Sequence, residues 1–308
     1  MNRKQELIAA SAVLLIFISG LNAFAQAGSN KSGEWQAVEQ AVGRSGQVQA
    51  DGAYKVSFPR GDLKVTVADV ELKPPLALGG WVAFSKPAKD SMIMGDLVLT
   101  EDEVTPVMSF LENNGVQVTG LHNHVLHESP RVMYMHIGGH GDAVKLASTV
   151  KDAVALTKTP APKPPAAAQQ DIGIDTAGIE QALGHQGKVN GGVFQVAVAR
   201  AESITEGGPA AGAMKVPNSM GLSTALNFQP TGGGKAAITG DFVLLGGEVN
   251  PVIQALRSSG IEVTALHSHM LDEQPRLFFM HFWANDDAVK LAKGLRAALD
   301  KTNSQKGK

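Results

Sequence analysis

The chain contains no cysteine. Disulfides and thiolate metal sites are therefore excluded, and stability has to come from burial alone. Aromatic residues make up only 5% of the 308 residues, which disfavours stacking platforms for carbohydrate or single-stranded nucleic acid. Charge of one sign is not in excess either: 27 basic residues stand against 29 acidic ones, a formal net charge of −2. With no basic stretch to offset that balance, nucleic acid is not expected as a partner. Long apolar runs are missing apart from one near the start, Ile8 to Ile18. It follows Arg3 and Lys4 and precedes Ala23-Phe24-Ala25, a small-x-small pattern. This reads as a signal peptide over residues 1–25, cleaved after Ala25, which makes the protein periplasmic or secreted. The run is too short to span a bilayer comfortably and no second one follows, so the mature protein is expected to lack a transmembrane segment. A lipid anchor at the cleavage point would need a cysteine there.

What the chain does have is a repeat. Leu121 to Ala147 (LHNHVLHESPRVMYMHIGGHGDAVKLA) returns as Leu266 to Ala292 (LHSHMLDEQPRLFFMHFWANDDAVKLA), at a constant offset of 145 residues. The match extends further. GAYKVSFPR at 52–60 pairs with GVFQVAVAR at 192–200, and MGDLVLTEDEVTPVMSFLENNGVQVTG pairs with TGDFVLLGGEVNPVIQALRSSGIEVTA. A tandem duplication accounts for this, with repeat one at 31–156 and repeat two at 171–301. Between them, residues 157–170 are rich in proline and alanine, which favours an extended, exposed linker.

Alternating apolar residues make 52–60 and 192–200 strands. Short helices are expected just before them, ending at Gly43 and Gly184. In repeat two the later elements read as strand Ala237 to Leu245, helix Val249 to Ser259, strand Ile261 to Met270, strand Arg276 to Trp283 and helix Asp286 to Leu299. Gly260 closes the first of those helices, and Asp286 is placed at the cap of the second. Glu206 to Met220, rich in glycine and alanine, reads as a mobile loop. Each repeat is thus an α+β domain, a mostly antiparallel sheet with helices packed on one face. Two copies of one fold suggest a pseudo-two-fold arrangement with a shared sheet or a central cleft.

Eight of the nine histidines lie in the two long matching segments. His122 and His124 alternate on a β-rich stretch and so share a face, about 7 Å apart along the strand. The chain reverses between Leu126 and Pro130, and hairpin register brings His136 beside Gly120 to His122. His267, His269 and His281 rebuild the set. Three neutral imidazoles with a nearby carboxylate are a pattern of divalent metal sites, zinc or copper. Glu128 and Glu273, in the turns, are candidate general bases. Arg131 and Arg276, each following a proline, either clamp a small anionic ligand or pair with those glutamates to hold the turn. Asp96 and Asp241, each in a Gly-Asp pair, read as turn residues, and Met133, Met135 and Met280 as core. The His-x-His-x-x-x-Glu spacing equals the first metal motif of cupins. The third histidine, however, follows only eight residues after Glu128, and helices flank the hairpin, so that likeness stays local.

The stretches LHNHVLHESPR and LHSHMLDEQPRLFFMHFWANDDAVKLAKGLRAALD resemble the LppY/LpqO family, also catalogued as DUF1259. The resemblance covers both repeats and implies an exported bacterial protein of unestablished activity. It supports the domain organisation and the compartment. The expectation of metal rests on the histidine spacing alone. Three readings follow: a metal-binding protein, a metal-dependent hydrolase using the same clusters, or a metal-free interaction module whose histidines knit the hairpin to the sheet.

Overall fold

The computed structural model describes residues 33–162, 171–207 and 212–307. The expected signal peptide at 1–25 and part of the expected linker at 157–170 lie outside them. Repeat one carries strands β1 (Gln47–Val48), β2 (Tyr54–Pro59), β3 (Gly79–Phe84), β4 (Ser91–Thr100), β5 (Gln117–His122) and β6 (Val132–Gly141). Its helices are α1 (Gln36–Val42), α2 (Glu101–Asn113) and α3 (Ala143–Val154). Repeat two carries β7 (Gly187–Asn190), β8 (Val193–Ala199), β9 (Ser223–Gly232), β10 (Lys235–Leu245), β11 (Glu262–His267) and β12 (Leu277–Asp287). Its helices are α4 (Thr176–Leu183), α5 (Val249–Ser258) and α6 (Ala288–Leu299). The two six-stranded sheets share one topology, β1-β2-β3-β4-β6-β5 and β7-β8-β9-β10-β12-β11, with antiparallel pairing throughout. The chain is α+β, built from two matching repeats.

Local chemistry sets the helix ends. Thr100 and Glu103 form a capping box at α2, each side chain satisfying a backbone N–H that the first turn leaves unpaired. Gly43 and Gly184 close α1 and α4 with φ of 72° and 71°, the left-handed conformation that glycine adopts without a Cβ clash. Asp142 caps α3 by accepting from Val144 N and Lys145 N. At α6 the cap is Asp287, not Asp286: β12 runs through Asp287, whose carboxylate accepts from Lys290 N. Asp286 instead pairs with the Lys290 ammonium on the surface.

Strand alternation sends side chains to two different layers. On β4, Ile93, Leu97 and Leu99 join the core under helices α1 to α3, with Met135 and Ile137 of β6. On β10 and β12, Phe242, Leu244, Met280 and Phe282 do the same under α4 to α6. The opposite faces turn towards the other repeat. Val98, Val132 and Tyr134 pack with Val193, Ala237 and Trp283 of repeat two. Met92 and Met94 pack with Ile204, Val216, Met220, Leu222, Val243 and Phe279. The sheets are therefore sandwiched, with helices outside and a second apolar layer between them. That layer explains the almost unbroken apolar run of β4, which is covered on both faces. It also corrects the expectation for Glu206 to Met220. Its described part is pinned, because Val216 and Met220 are fully buried between the repeats.

Two hydrogen bonds express the pseudo-two-fold relation. Thr119 Oγ1 donates to the His269 carbonyl at 2.6 Å, and Thr264 Oγ1 donates to the His124 carbonyl at 2.5 Å. Thr119 and Thr264 are equivalent positions, and each is the extra residue of a β-bulge on the edge strand, β5 or β11. A bulge re-aims a side chain out of the ladder. Here it lets each repeat grip the other's His-x-His backbone.

Candidate metal centre

The sandwich brings all six predicted histidines into one place. His122 and His267 stack across the repeat boundary with ring centroids 3.6 Å apart. His124 lies 3.8 Å from His281, and His136 lies 3.8 Å from His269. The sequence pattern suggested two equivalent sites, one per repeat. The structure has a single composite cluster instead, because the histidine-bearing faces of the two sheets are the faces that pack on each other.

The hairpin geometry arises much as the spacing predicts. His136 pairs directly with Gly120, and His281 with Ala265. The edge strands end at His122 and His267, however, so His124 and His269 lie just beyond regular strand. Their rings are fixed by stacking on Tyr134 (3.2 Å) and Phe279 (3.5 Å).

The hydrogen bonds define where the ring protons sit. His122 Nδ1 donates to the Asn123 carbonyl at 2.7 Å and His281 Nδ1 to the Gly240 carbonyl at 2.6 Å. Each of these rings then presents a bare Nε2, the arrangement that a second partner gives a metal-ligating histidine. His122 Nε2 and His136 Nε2 face each other at 2.7 Å, and His267 Nε2 and His269 Nε2 at 3.0 Å. His281 Nε2 and His124 Nε2 are buried with no hydrogen-bond partner. Burial, reinforced by the neighbouring rings, holds His124, His136 and His269 well below the usual imidazole range. Burial alone takes His122 down to about 4. Burial favours the neutral form of all six imidazoles.

Three overlapping triads place one nitrogen from each ring within 4.8 Å of the others: His122-His124-His136, His122-His267-His281 and His136-His267-His269. Only the first uses one repeat alone. Any two triads share a histidine, so a single ion would use up the set.

Two residues that the sequence pattern left as turn positions belong to the cluster. Asp96 lies in the middle of β4 and Asp241 in the middle of β10, both buried or nearly so. Asp96 Oδ2 is 3.5 Å from His124 Nε2 and its Oδ1 is 3.9 Å from His136 Nδ1. Asp241 Oδ2 is 3.0 Å from His269 Nε2 and its Oδ1 is 4.0 Å from His281 Nδ1. Burial and mutual repulsion push Asp96 up to about 8, and burial raises Asp241 to about 6. The preceding glycines explain the motif. A Cβ on Gly240 would collide with the Ala225 carbonyl, so only glycine lets β9 and β10 approach while its own carbonyl receives His281. The available sign was the apolar run on both sides of Gly-Asp, which places the pair inside a strand.

The candidate bases and clamps stand elsewhere. Glu128 accepts from Val132 N, and Glu273, almost fully buried, accepts from Leu277 N at 2.8 Å. Neither belongs to a triad. Arg276 donates to Glu273 and to the Met270 and Leu271 carbonyls, and so holds the turn. Arg131 is exposed. Beside the histidines runs a cleft of about 270 Å³ lined by both repeats, with His124, His269, His281, Asp96 and Asp241 in its wall. Neither arginine lines it.

Known proteins add a family and no activity. No curated protein matches this sequence. Two solved structures align over most of the chain with low similarity. One is a trimeric bacterial microcompartment shell protein, PduB, with 12% identity over 84% of this chain and 95% of that one, TM-score 0.21. The other is EtuB from Clostridium kluyveri, with 10% identity over 82% and 90%, TM-score 0.19. The family model described as Domain of Unknown Function (DUF1259) matches residues 36–156 and again 177–301. The chain belongs to the DUF1259 family, of which it carries two copies.

Proposed function

We propose that this is an exported protein that binds one divalent transition-metal ion, zinc or copper, in a centre shared by its two repeats. The observation that carries this reading is the convergence of six imidazoles, whose ring nitrogens form three triads within 4.8 Å. His122 commits its Nδ1 proton to the Asn123 carbonyl, so its bare Nε2 faces the His136 ring at 2.7 Å. A proton is disfavoured by burial, which keeps both rings neutral. A divalent ion suits neutral imidazoles, and the donor set of nitrogen and carboxylate oxygen is that of zinc and copper sites. Export rests on the N-terminal pattern of 1–25. Among the described residues no helix is long and apolar enough to cross a membrane.

A second reading, metal-dependent hydrolysis, draws support from the cleft, which leaves room for a substrate beside the cluster. In that reading Asp96 or Asp241 is the proton acceptor, since Glu128 and Glu273 are engaged with the turn. The test begins with mature protein purified from its own compartment without chelators. Elemental analysis should give close to one equivalent of zinc or copper, and X-ray absorption should give nitrogen-dominated coordination. Protein that carries no metal and is not stabilised by added zinc or copper returns the histidines to a structural role.

A further inference from the structure

The three triads overlap, and the hydrogen bonds around them decide between them. Each contains one histidine that the other two lack: His124, His281 and His269 in turn. A ring nitrogen can hold an ion only with its lone pair free. The surroundings of these three rings differ in that respect. His269 Nε2 faces the carboxyl group of Asp241 at 3.0 Å. His124 Nε2 faces that of Asp96 at 3.5 Å, the equivalent pair in repeat one. Whichever partner carries the proton, the nitrogen is turned to a carboxyl oxygen, and neither aspartate belongs to a triad.

His281 is placed differently. Its Nδ1 donates to the Gly240 carbonyl at 2.6 Å, and its Nε2 is buried with no hydrogen bond. The N–H is fixed behind the ring and the lone pair in front, as a partner on the second nitrogen orients a metal-ligating histidine. His122 has the same construction, with Nδ1 donating to the Asn123 carbonyl at 2.7 Å. Only one triad contains both rings, His122-His267-His281, whose ring centroids lie 3.6, 4.8 and 5.2 Å apart. Its third member also has a nitrogen to offer, since His267 Nδ1 is buried without a hydrogen bond. The two-fold image of this set, His136 with His122 and His267, is not among the three triads. The duplication has therefore left a centre that is not symmetric.

We infer that the ion of the shared centre sits on His122, His267 and His281, two ligands from repeat two and one from repeat one, with His124 and His269 turned to the aspartates outside it. The inference rests on the metal reading above. In the metal-free protein His136 Nε2 meets the His122 lone pair at 2.7 Å, the contact that the ion replaces. Three single variants of the mature full chain decide, because each breaks one triad alone. Zinc is the probe, with bound zinc measured after desalting and affinity measured by competition with a chelator. His281→Gln should weaken zinc by more than about 100-fold, whereas His124→Gln and His269→Gln should each keep the ion and lose at most the roughly 10–100-fold of an altered outer partner. Circular dichroism checks folding. If His281→Gln does not fold, nitrogen NMR of the wild type replaces it: zinc should shift Nε2 of His122 and His281 and leave their Nδ1 protons in place. Zinc lost from folded His124→Gln or His269→Gln, or retained by folded His281→Gln, would overturn the assignment, as would a shift centred on His124 or His269. In each of those cases the wild type still binds zinc and the shared centre stands. A wild type that binds neither zinc nor copper removes the metal reading itself, and the assignment with it.

Discussion

Lowering the pH should destabilise the metal-free protein steeply, and the histidine cluster sets both the sign and the size. His122, His124, His136, His267 and His269 are all shifted downwards by burial, His122 to about 4. Their unfolded value is about 6.5. Above that pH both states are neutral and these groups do not alter the balance. Below it the unfolded chain takes up protons that the folded cluster refuses, so stability is lost as pH falls from 6.5 towards the folded values. Between pH 7 and 5.5 each of them costs on the order of 1 kcal/mol. Asp96 and Asp241 act in the opposite sense. Their folded values, about 8 and about 6, lie above the unfolded one, so the folded state binds protons first. Over the same interval they return about 3 kcal/mol. The five histidines outnumber the two aspartates, so the net is a loss on the order of a few kcal/mol, a large share of the roughly 5–15 kcal/mol that holds a domain folded. Urea unfolding of the chelator-treated protein at the two pH values measures it directly. Zinc at a hundredfold excess over its dissociation constant should add about 2.7 kcal/mol at pH 7. That gain should shrink at pH 5.5, because protons then compete for the ligands. A metal-free protein equally stable at both pH values would show that these five rings are not buried and neutral as described.

Two further substitutions separate scaffold from site. Gly240→Ala should cost about 3 kcal/mol or more, since its methyl group meets the Ala225 carbonyl in a packed sheet and must push β9 from β10. Thermal unfolding measures this, and a neutral result would mean that the two strands are further apart than described. Glu273→Gln should lower stability by about 1–2 kcal/mol by weakening the turn that its carboxylate ties to Leu277 and Arg276, with metal content unchanged. Loss of the metal in a folded Glu273→Gln protein would put that carboxylate back among the ligands.

Much of this arrangement is legible from residues alone, and the rest is not for a definite reason. The repeat, the α+β class and the opposition of His136 to Gly120 follow from period-two alternation and hairpin register, which are local properties. The helix stops at Gly43 and Gly184 are local too. Asp96 and Asp241 escaped because Gly-Asp has the composition of a turn, whereas here the glycine serves close strand approach and the aspartate faces the cluster. The sharing of one centre by both repeats depends on which face of each sheet is covered by the other. No pattern within a single repeat encodes that directly. The nearest sign is β4, where Met92 and Met94 on one face and Ile93 and Leu97 on the other are all buried, too apolar for a sheet open on one side. The contacts of Lys55 were equally hidden, since its partners Trp81 and Ser219 come from another strand and the other repeat.

The shared centre is tested most directly by the metal content of a variant altered in repeat one only. His122→Ala with His136→Ala removes a ligand from all three triads while leaving His267, His269 and His281 in place. The expected result is a folded protein whose metal falls from close to one equivalent to none. A variant that keeps a full equivalent on the untouched histidines of repeat two would contradict the shared centre and restore two independent sites.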